Sequence, residues 1–184
     1  MNVKLRMFTE RDANSLYLLL QNEEINQFLD YKFNSEQDAL EWIITILFLE
    51  GFGETICRAI VDQNNQLIGG VYLFNIDSEK KIAELGTWLI PAYWGKGVNA
   101  WAKKEILKIA FADLNLNTVL LFTDQNNIRS VKALEKLPYV IKDYNCLECS
   151  ERKRKVEFQH GRNMLMFVVT KESFQQMQTD IMYN

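Results

Sequence analysis

The sequence predicts an α+β (mixed α/β) fold: a central, mostly antiparallel sheet with one parallel strand–helix–strand unit and helices on both faces. Three observations predict it. Apolar residues recur at helical spacing over roughly the first fifty positions. The period then shortens to that of strands between residues 55 and 90, and strand-like and helical runs alternate up to residue 170.

The elements follow in order. Residues 3–7 read as a short strand. Thr9 with Asp12 makes a helix-start pattern ahead of Ala13, Leu16, Tyr17 and Leu20. Ile25, Phe28 and Leu29 suggest a second short helix. Ser35 reads as the N-cap of a third, with Leu40, Ile43, Ile44, Leu47 and Phe48 as its face and Gly51 and Gly53 closing it. Strand-like runs at 55–61 and 67–76 flank the polar connection 62–66, and a turn at 77–80 leads to a third strand at 81–90. A helix at 97–113 should turn Val98, Trp101, Ala102, Ile106, Ile109 and Ala110 inward. Residues 117–123 read as strand, 127–137 as helix, and 139–145 and 164–170 as the last strands, while 146–159 carries no assignable pattern. The strand–helix–strand run from 81 to 123 should be parallel with a right-handed crossover, so the turn at 91–97 is the natural place for a ligand.

With 184 residues, 48% of them hydrophobic, the chain suits one domain spanning 1–184. A net charge of -3 excludes a general polyanion binder, so no nucleic-acid partner is expected. The start of the chain lacks the apolar core of an export signal, and the most apolar stretch, 42–49, is far too short to span a bilayer. The expectation is therefore a cytoplasmic protein, away from membranes, whose three Cys are reduced thiols.

The run Pro91-Ala92-Tyr93-Trp94-Gly95-Lys96-Gly97-Val98-Asn99-Ala100 carries the chemistry. Two glycines spaced by one residue sit where a strand feeds a helix. Glycine admits backbone conformations barred to other residues, and the N–H groups of the first helical turn lie free at the positive end of the dipole. Such a turn can hold a phosphate or pyrophosphate. Taken alone it is equally a loop that ends a strand.

It is flanked by Ala83-Glu84-Leu85-Gly86-Thr87-Trp88-Leu89-Ile90 before and by Asn127-Ile128-Arg129-Ser130-Val131-Lys132-Ala133-Leu134-Glu135-Lys136-Leu137 after. Together these resemble the GNAT superfamily of acetyl-CoA-dependent N-acetyltransferases, nearest its ribosomal-protein N-terminal alanine/serine acetyltransferase-like branch. The resemblance covers about residues 1–175 and is specific from roughly 82 to 140. It implies a GNAT-like fold and acetyl-CoA as co-substrate. It further implies that the amides of Gly95, Lys96, Gly97, Val98 and Asn99 grip the pyrophosphate and that the backbone of Trp88, Leu89 and Ile90 pairs with pantetheine. Asn127 and Ser130 would lie beside the thioester arm. The chain departs from the wider pattern at Trp94, Asn99 and Pro138, and Leu134 stands where a general-acid Tyr often does, which turns attention to Ser130.

Glu84 shares a strand face with Ile82, Gly86 and Trp88, and partial burial there would tune it as a general base; a solvated strand carboxylate is the plainer alternative. Ser130 is the candidate donor to the departing thiolate, or simply a first-turn residue; Asn127 is equally a helix cap. Cys146 and Cys149 form a C-x-x-C, but with only Cys57 and His160 to join them no metal site is expected. His160-Gly161 reads as a hairpin turn, and 152–155 as a solvated basic loop. The leading function is acetyl transfer to a small-molecule or peptide amine. A non-catalytic acyl-CoA-binding module or sensor is the alternative, and a nucleotide-binding protein using the glycine turn is a third reading, against which stands the missing G-x-x-x-x-G-K-[ST] run. Oligomeric state is open, with a homodimer as one candidate.

Overall fold

A computed structural model describes residues 2–29, 31–142 and 144–183, with side chains to residue 180. Its strands are β1 (Val3–Arg6), β2 (Ile56–Asp62), β3 (Leu67–Asp77), β4 (Ile82–Leu89), β5 (Thr118–Asp124), β6 (Ile141–Lys142) and β7 (Met164–Thr170). They hydrogen-bond in the order β1-β2-β3-β4-β5-β7-β6. The sheet is mostly antiparallel, and the exception is the expected parallel pair β4–β5. The chain divides into two compact units, 1–76 with 86–107 and 77–85 with 108–184, so β4 contributes to both.

In the first unit the helices are α1 (Ala13–Leu20), α2 (Glu23–Asn26), α3 (Glu36–Gly51) and nearly all of α4 (Val98–Lys108). The β2–β3 connection turns because Asp62 Oδ1 accepts from the N–H groups of Asn64 and Gln66, both at 2.9 Å, while Asn65 takes a left-handed φ of 64°. Ser35 caps α3 as expected: its Oγ accepts from the Asp38 N–H at 3.1 Å and donates to Oδ1 of Asp38 at 2.7 Å. The buried stripe of α3 differs from the expected one. It is Ala39, Ile43 and Ile46, while Ile44 and Phe48 are 49% and 64% exposed. An apolar run around the whole helix does not say which face meets the core, and packing chose the face spaced i, i+4, i+7. That face joins Phe8, Leu16, Leu20, Ala59, Val61 and Trp88 in one cluster. At Gly69 a Cβ would lie 2.5 Å from the Trp88 carbonyl oxygen, so only glycine lets β3 and β4 approach there.

The second unit is organised by β5. It pairs in parallel with β4 from Ile82↔Thr118 to Glu84↔Leu120 and antiparallel with β7 along its whole length. Its helices are α5 (Ile128–Glu135), α6 (Leu147–His160) and α7 (Lys171–Tyr183). The expected helix over 97–113 is α4 followed by a π-helical turn, Ile109–Asp113. Trp101 and Ile109, expected inward, are only half-buried, and Lys103 and Leu107 are buried instead.

Three sequence expectations change here. Of the strand expected over 139–145, Ile141–Lys142 is strand and residue 143 lies outside the described residues; Val140 N–H closes a turn on Leu137 O at 3.1 Å, and Tyr139 packs edge-on against Phe174. The unassigned 146–159 is α6. Cys146 caps it, with Sγ accepting from the Cys149 N–H at 3.0 Å, and Gly161 ends it at a φ of 62°, so His160-Gly161 is a helix C-terminus rather than a hairpin. Cys146 and Cys149 are joined by a disulfide across that first turn, against the expectation of reduced thiols, while Cys57 stays free and buried. A cap residue and the residue three positions on share one helical turn, and their Cα atoms lie 5.2 Å apart, within bridging distance.

Candidate active site

The first unit supplies the glycine turn. After β4, Pro91–Tyr93 form a 3₁₀ turn, and the indole Nε1 of Trp94 folds back to donate to the Leu89 carbonyl at 2.6 Å. Gly95 and Gly97 both take left-handed backbone, φ 71° and 78°. A Cβ at either would meet no atom within 4 Å, so conformation and not crowding asks for glycine. Trp101 N–H bonds Gly97 O at 3.0 Å, which leaves the amides before it in the open first turn of α4. Val98, 1% exposed, anchors that turn in the core, and Gly95, Lys96 and Gly97 are exposed. The Lys96 amine sits over the Tyr93 ring, 5.5 Å from its centroid. The result is an exposed glycine turn at a helix N-terminus, a kind of site that can hold a phosphate.

Along β4, Trp88 and Leu89 are buried and Ile90 half-buried. Ile90 N–H is committed to Ile68 O on β3 at 2.9 Å, and Leu89 O to Trp94. A feature the sequence reading missed lies just behind the turn. Lys103 of α4 is 6% exposed, and its Nζ donates to Thr87 Oγ1 of β4 at 2.6 Å and to Oδ1 of Asn99. Burial pushes this amine down to about 7 from its ordinary range. The signal was present: Lys103 falls on the same stripe as Ala102 and Ile106, where a surface lysine does not belong.

The second unit holds the other candidates. Glu84 is 4% exposed at the last parallel pair of β4 with β5. Its Oε1 accepts from Arg152 Nη1 of α6 at 3.3 Å, and Arg152 Nε also reaches Glu148 at the same distance. Glu148 in turn meets Lys80 at 2.8 Å; the hydrogen bonds from Lys80 and Arg152 hold its carboxyl below the usual range. The expectation for Glu84 counted burial alone; the structure adds an ion pair with a guanidinium from α6. Arg152 is thus no part of a solvated basic loop. It faces inward from a helix, and Lys153 pairs with Glu157 at 3.7 Å.

Asn127 caps α5, its Oδ1 accepting from the Ser130 N–H at 3.1 Å. Ser130 Oγ is half-buried, and no hydrogen-bond partner for it stands among the described residues. Leu134, in the position of the general-acid Tyr, is a core residue at 3% exposure. Asp124, at the end of β5, accepts from the Asn126 N–H at 2.8 Å and from Arg162 at 3.0 Å, and both hold its carboxyl below the ordinary range. It fixes the turn into α5; nothing in the sequence pattern marked it. Among the described residues no three His, Cys, Asp or Glu are grouped to hold a metal, and no helix is long and apolar enough to cross a membrane.

A glycine turn joins the end of β4 to α4, and the earlier residues of the same strand pair in parallel with β5, the strand–helix–strand arrangement expected of an acetyltransferase of this fold. The chain belongs to the GNAT acetyltransferase family and is an amine N-acetyltransferase enzyme: the family model "Acetyltransferase (GNAT) domain" matches residues 2–140. It is 29% identical over 147 residues to the uncharacterized N-acetyltransferase p20 of Bacillus licheniformis, covering 76% of this chain and 82% of that one. It is 25% identical over 148 residues to YdaF of Bacillus subtilis, whose name provisionally assigns it to ribosomal N-acetylation; this covers 76% and 78% of the two chains. Among solved structures, the spermidine N-acetyltransferase of Vibrio cholerae in complex with CoA and spermine superposes with a TM-score of 0.73 at 18% identity, over 95% of this chain and 98% of that one.

Proposed function

We propose that this enzyme transfers the acetyl group of acetyl-CoA directly to a primary amine, either a protein N-terminus or a small-molecule amine. The observation that carries the reading is the exposed turn at Gly95 and Gly97: two left-handed glycines lead into the first turn of α4, where helix amides lack intrahelical partners. In this reading those amides take the pyrophosphate, the Trp88–Ile90 edge of β4 takes pantetheine, and Asn127 and Ser130 flank the thioester.

The neutral amine nitrogen attacks the thioester carbonyl carbon, the C–N bond forms, and the C–S bond breaks. Ser130 Oγ–H donates to the departing thiolate. The proton lost by the amine passes to Glu84, directly or through water, and on to solvent. Arg152 Nη1, 3.3 Å from Glu84 Oε1, orients that carboxyl. No covalent enzyme intermediate is needed.

A turnover screen tests the reading. Thiol release from acetyl-CoA is followed with peptides beginning in Ala or Ser, with spermidine, and with amino sugars. Amine-dependent release with at least one class is expected. Acetyl-CoA binding without release across all of them would overturn direct transfer to these amines.

A further inference from the structure

The glycine turn explains how an anion is received but not why a lysine is buried directly behind it. Lys103 lies one helical turn beyond Asn99, about 6 Å along α4. Its amine reaches two groups, Thr87 Oγ1 on β4 and the Asn99 carboxamide in the first turn of α4, and Thr87 Oγ1 also donates to Asn99 Oδ1 at 3.4 Å. The three side chains clamp the start of α4 to β4. Both contacts are to neutral groups.

Among the described residues no carboxylate is recorded in contact with this amine. Lys96 stands on the turn over Tyr93, Lys104 and Glu105 follow on α4 and are half-buried, and β4 presents only the Thr87 hydroxyl. Burial pushes the Lys103 amine down. A buried ammonium without a carboxylate is unfavourable, and an anion placed at the adjacent helix N-terminus supplies the missing countercharge.

We propose that Lys103 is a positioning residue of the coenzyme site, fixing Asn99 and Thr87 behind the anion-binding turn and taking up a proton from solvent when a diphosphate binds there. This rests on the coenzyme reading above. Binding and protonation are then linked: the diphosphate favours the ammonium, and the ammonium favours the diphosphate.

Calorimetry with acetyl-CoA tests it. At pH 8 the phosphate monoester of the ligand, with a second pKa of about 6, is already ionised and does not contribute. Titrations at that pH in two buffers of different ionisation enthalpy give the protons taken up; Kd is also measured from pH 6 to 9 for the wild type and Lys103→Met. The wild type should take up roughly half a proton or more, and its Kd should weaken above pH 7 by up to about tenfold per pH unit. Lys103→Met should take up almost none and show a flatter profile. A purely structural role would weaken binding equally at every pH. Parallel profiles in the two proteins, or no uptake by the wild type, overturn the proposal while leaving the coenzyme reading intact. Absence of acetyl-CoA binding by the wild type overturns the coenzyme reading itself. If Lys103→Met does not fold, the proton count of the wild type decides alone.

Discussion

Gly97 holds a φ of 78° with open space where a side chain would stand. A β-branched residue there is strained by about 1–3 kcal/mol and relaxes by turning the first amides of α4 away. Gly97→Val should therefore weaken acetyl-CoA binding at least tenfold, measured by calorimetry on a folded variant; unchanged affinity would remove the anion turn from the site. Glu84 and Ser130 call for a different readout. Glu84→Gln should lower turnover by the roughly 10²–10⁴-fold typical of a lost general base, more than Ser130→Ala does, with acetyl-CoA affinity within a few-fold in both. The Glu84 variant should also lose the acidic limb of the pH–rate profile. Wild-type turnover and pH dependence in Glu84→Gln would pass the proton to water instead. Of these residues the sequence displayed the types and spacing. It did not display Arg152, because that partner comes from a helix 68 positions away.

At the scale of elements, α6 shows why a helix can go unread. Its buried residues are Cys149 and Val156, too few to draw an apolar stripe, and its turns are tied by pairs such as Arg152–Glu148 and Lys153–Glu157. α7 was equally missed, although Thr170 and Ser173 cap each other, N–H to hydroxyl, at 3.1 and 3.2 Å. The disulfide at the start of α6 closes so short a loop that its entropic contribution is about 2 kcal/mol. A Cys146→Ser, Cys149→Ala variant keeps a good N-cap in Ser. It should remain folded and active with a Tm only several degrees lower, and metal analysis of the wild type should find no stoichiometric zinc. A full equivalent of zinc with unfolding by a chelator would reverse this reading.

Across the whole molecule, buried titratable groups set how stability follows pH. The Lys103 amine is pushed down to about 7 and the Cys57 thiol up to about 11, both chiefly by burial. Between pH 7 and about 8.5 the unfolded chain keeps a proton on Lys103 that the native protein has lost, so stability should rise with pH. Above about 8.5 the unfolded chain loses the Cys57 proton that the native protein retains, and the two slopes cancel. Denaturant melts of the unliganded enzyme from pH 6 to 9.5 should show a rise of about 1–2 kcal/mol followed by a plateau, and Cys57→Ala should extend the rise toward pH 10. A flat curve between pH 7 and 8.5 would contradict a neutral buried Lys103.

The sequence by itself determined the α+β class, the parallel β4–β5 unit, the glycine turn and the family, because each is written in local spacing: period two, period 3.6, and glycines where a strand becomes a helix. The tertiary structure alone decided which face of α3 is buried, that residues 147–160 are helical, that Arg152 pairs with Glu84, and that Lys103 stands behind the glycine turn with no carboxylate partner among the described residues. Those are matters of which distant side chains share a low-dielectric interior, and burial and charge pairing there depend on the packing of the folded chain.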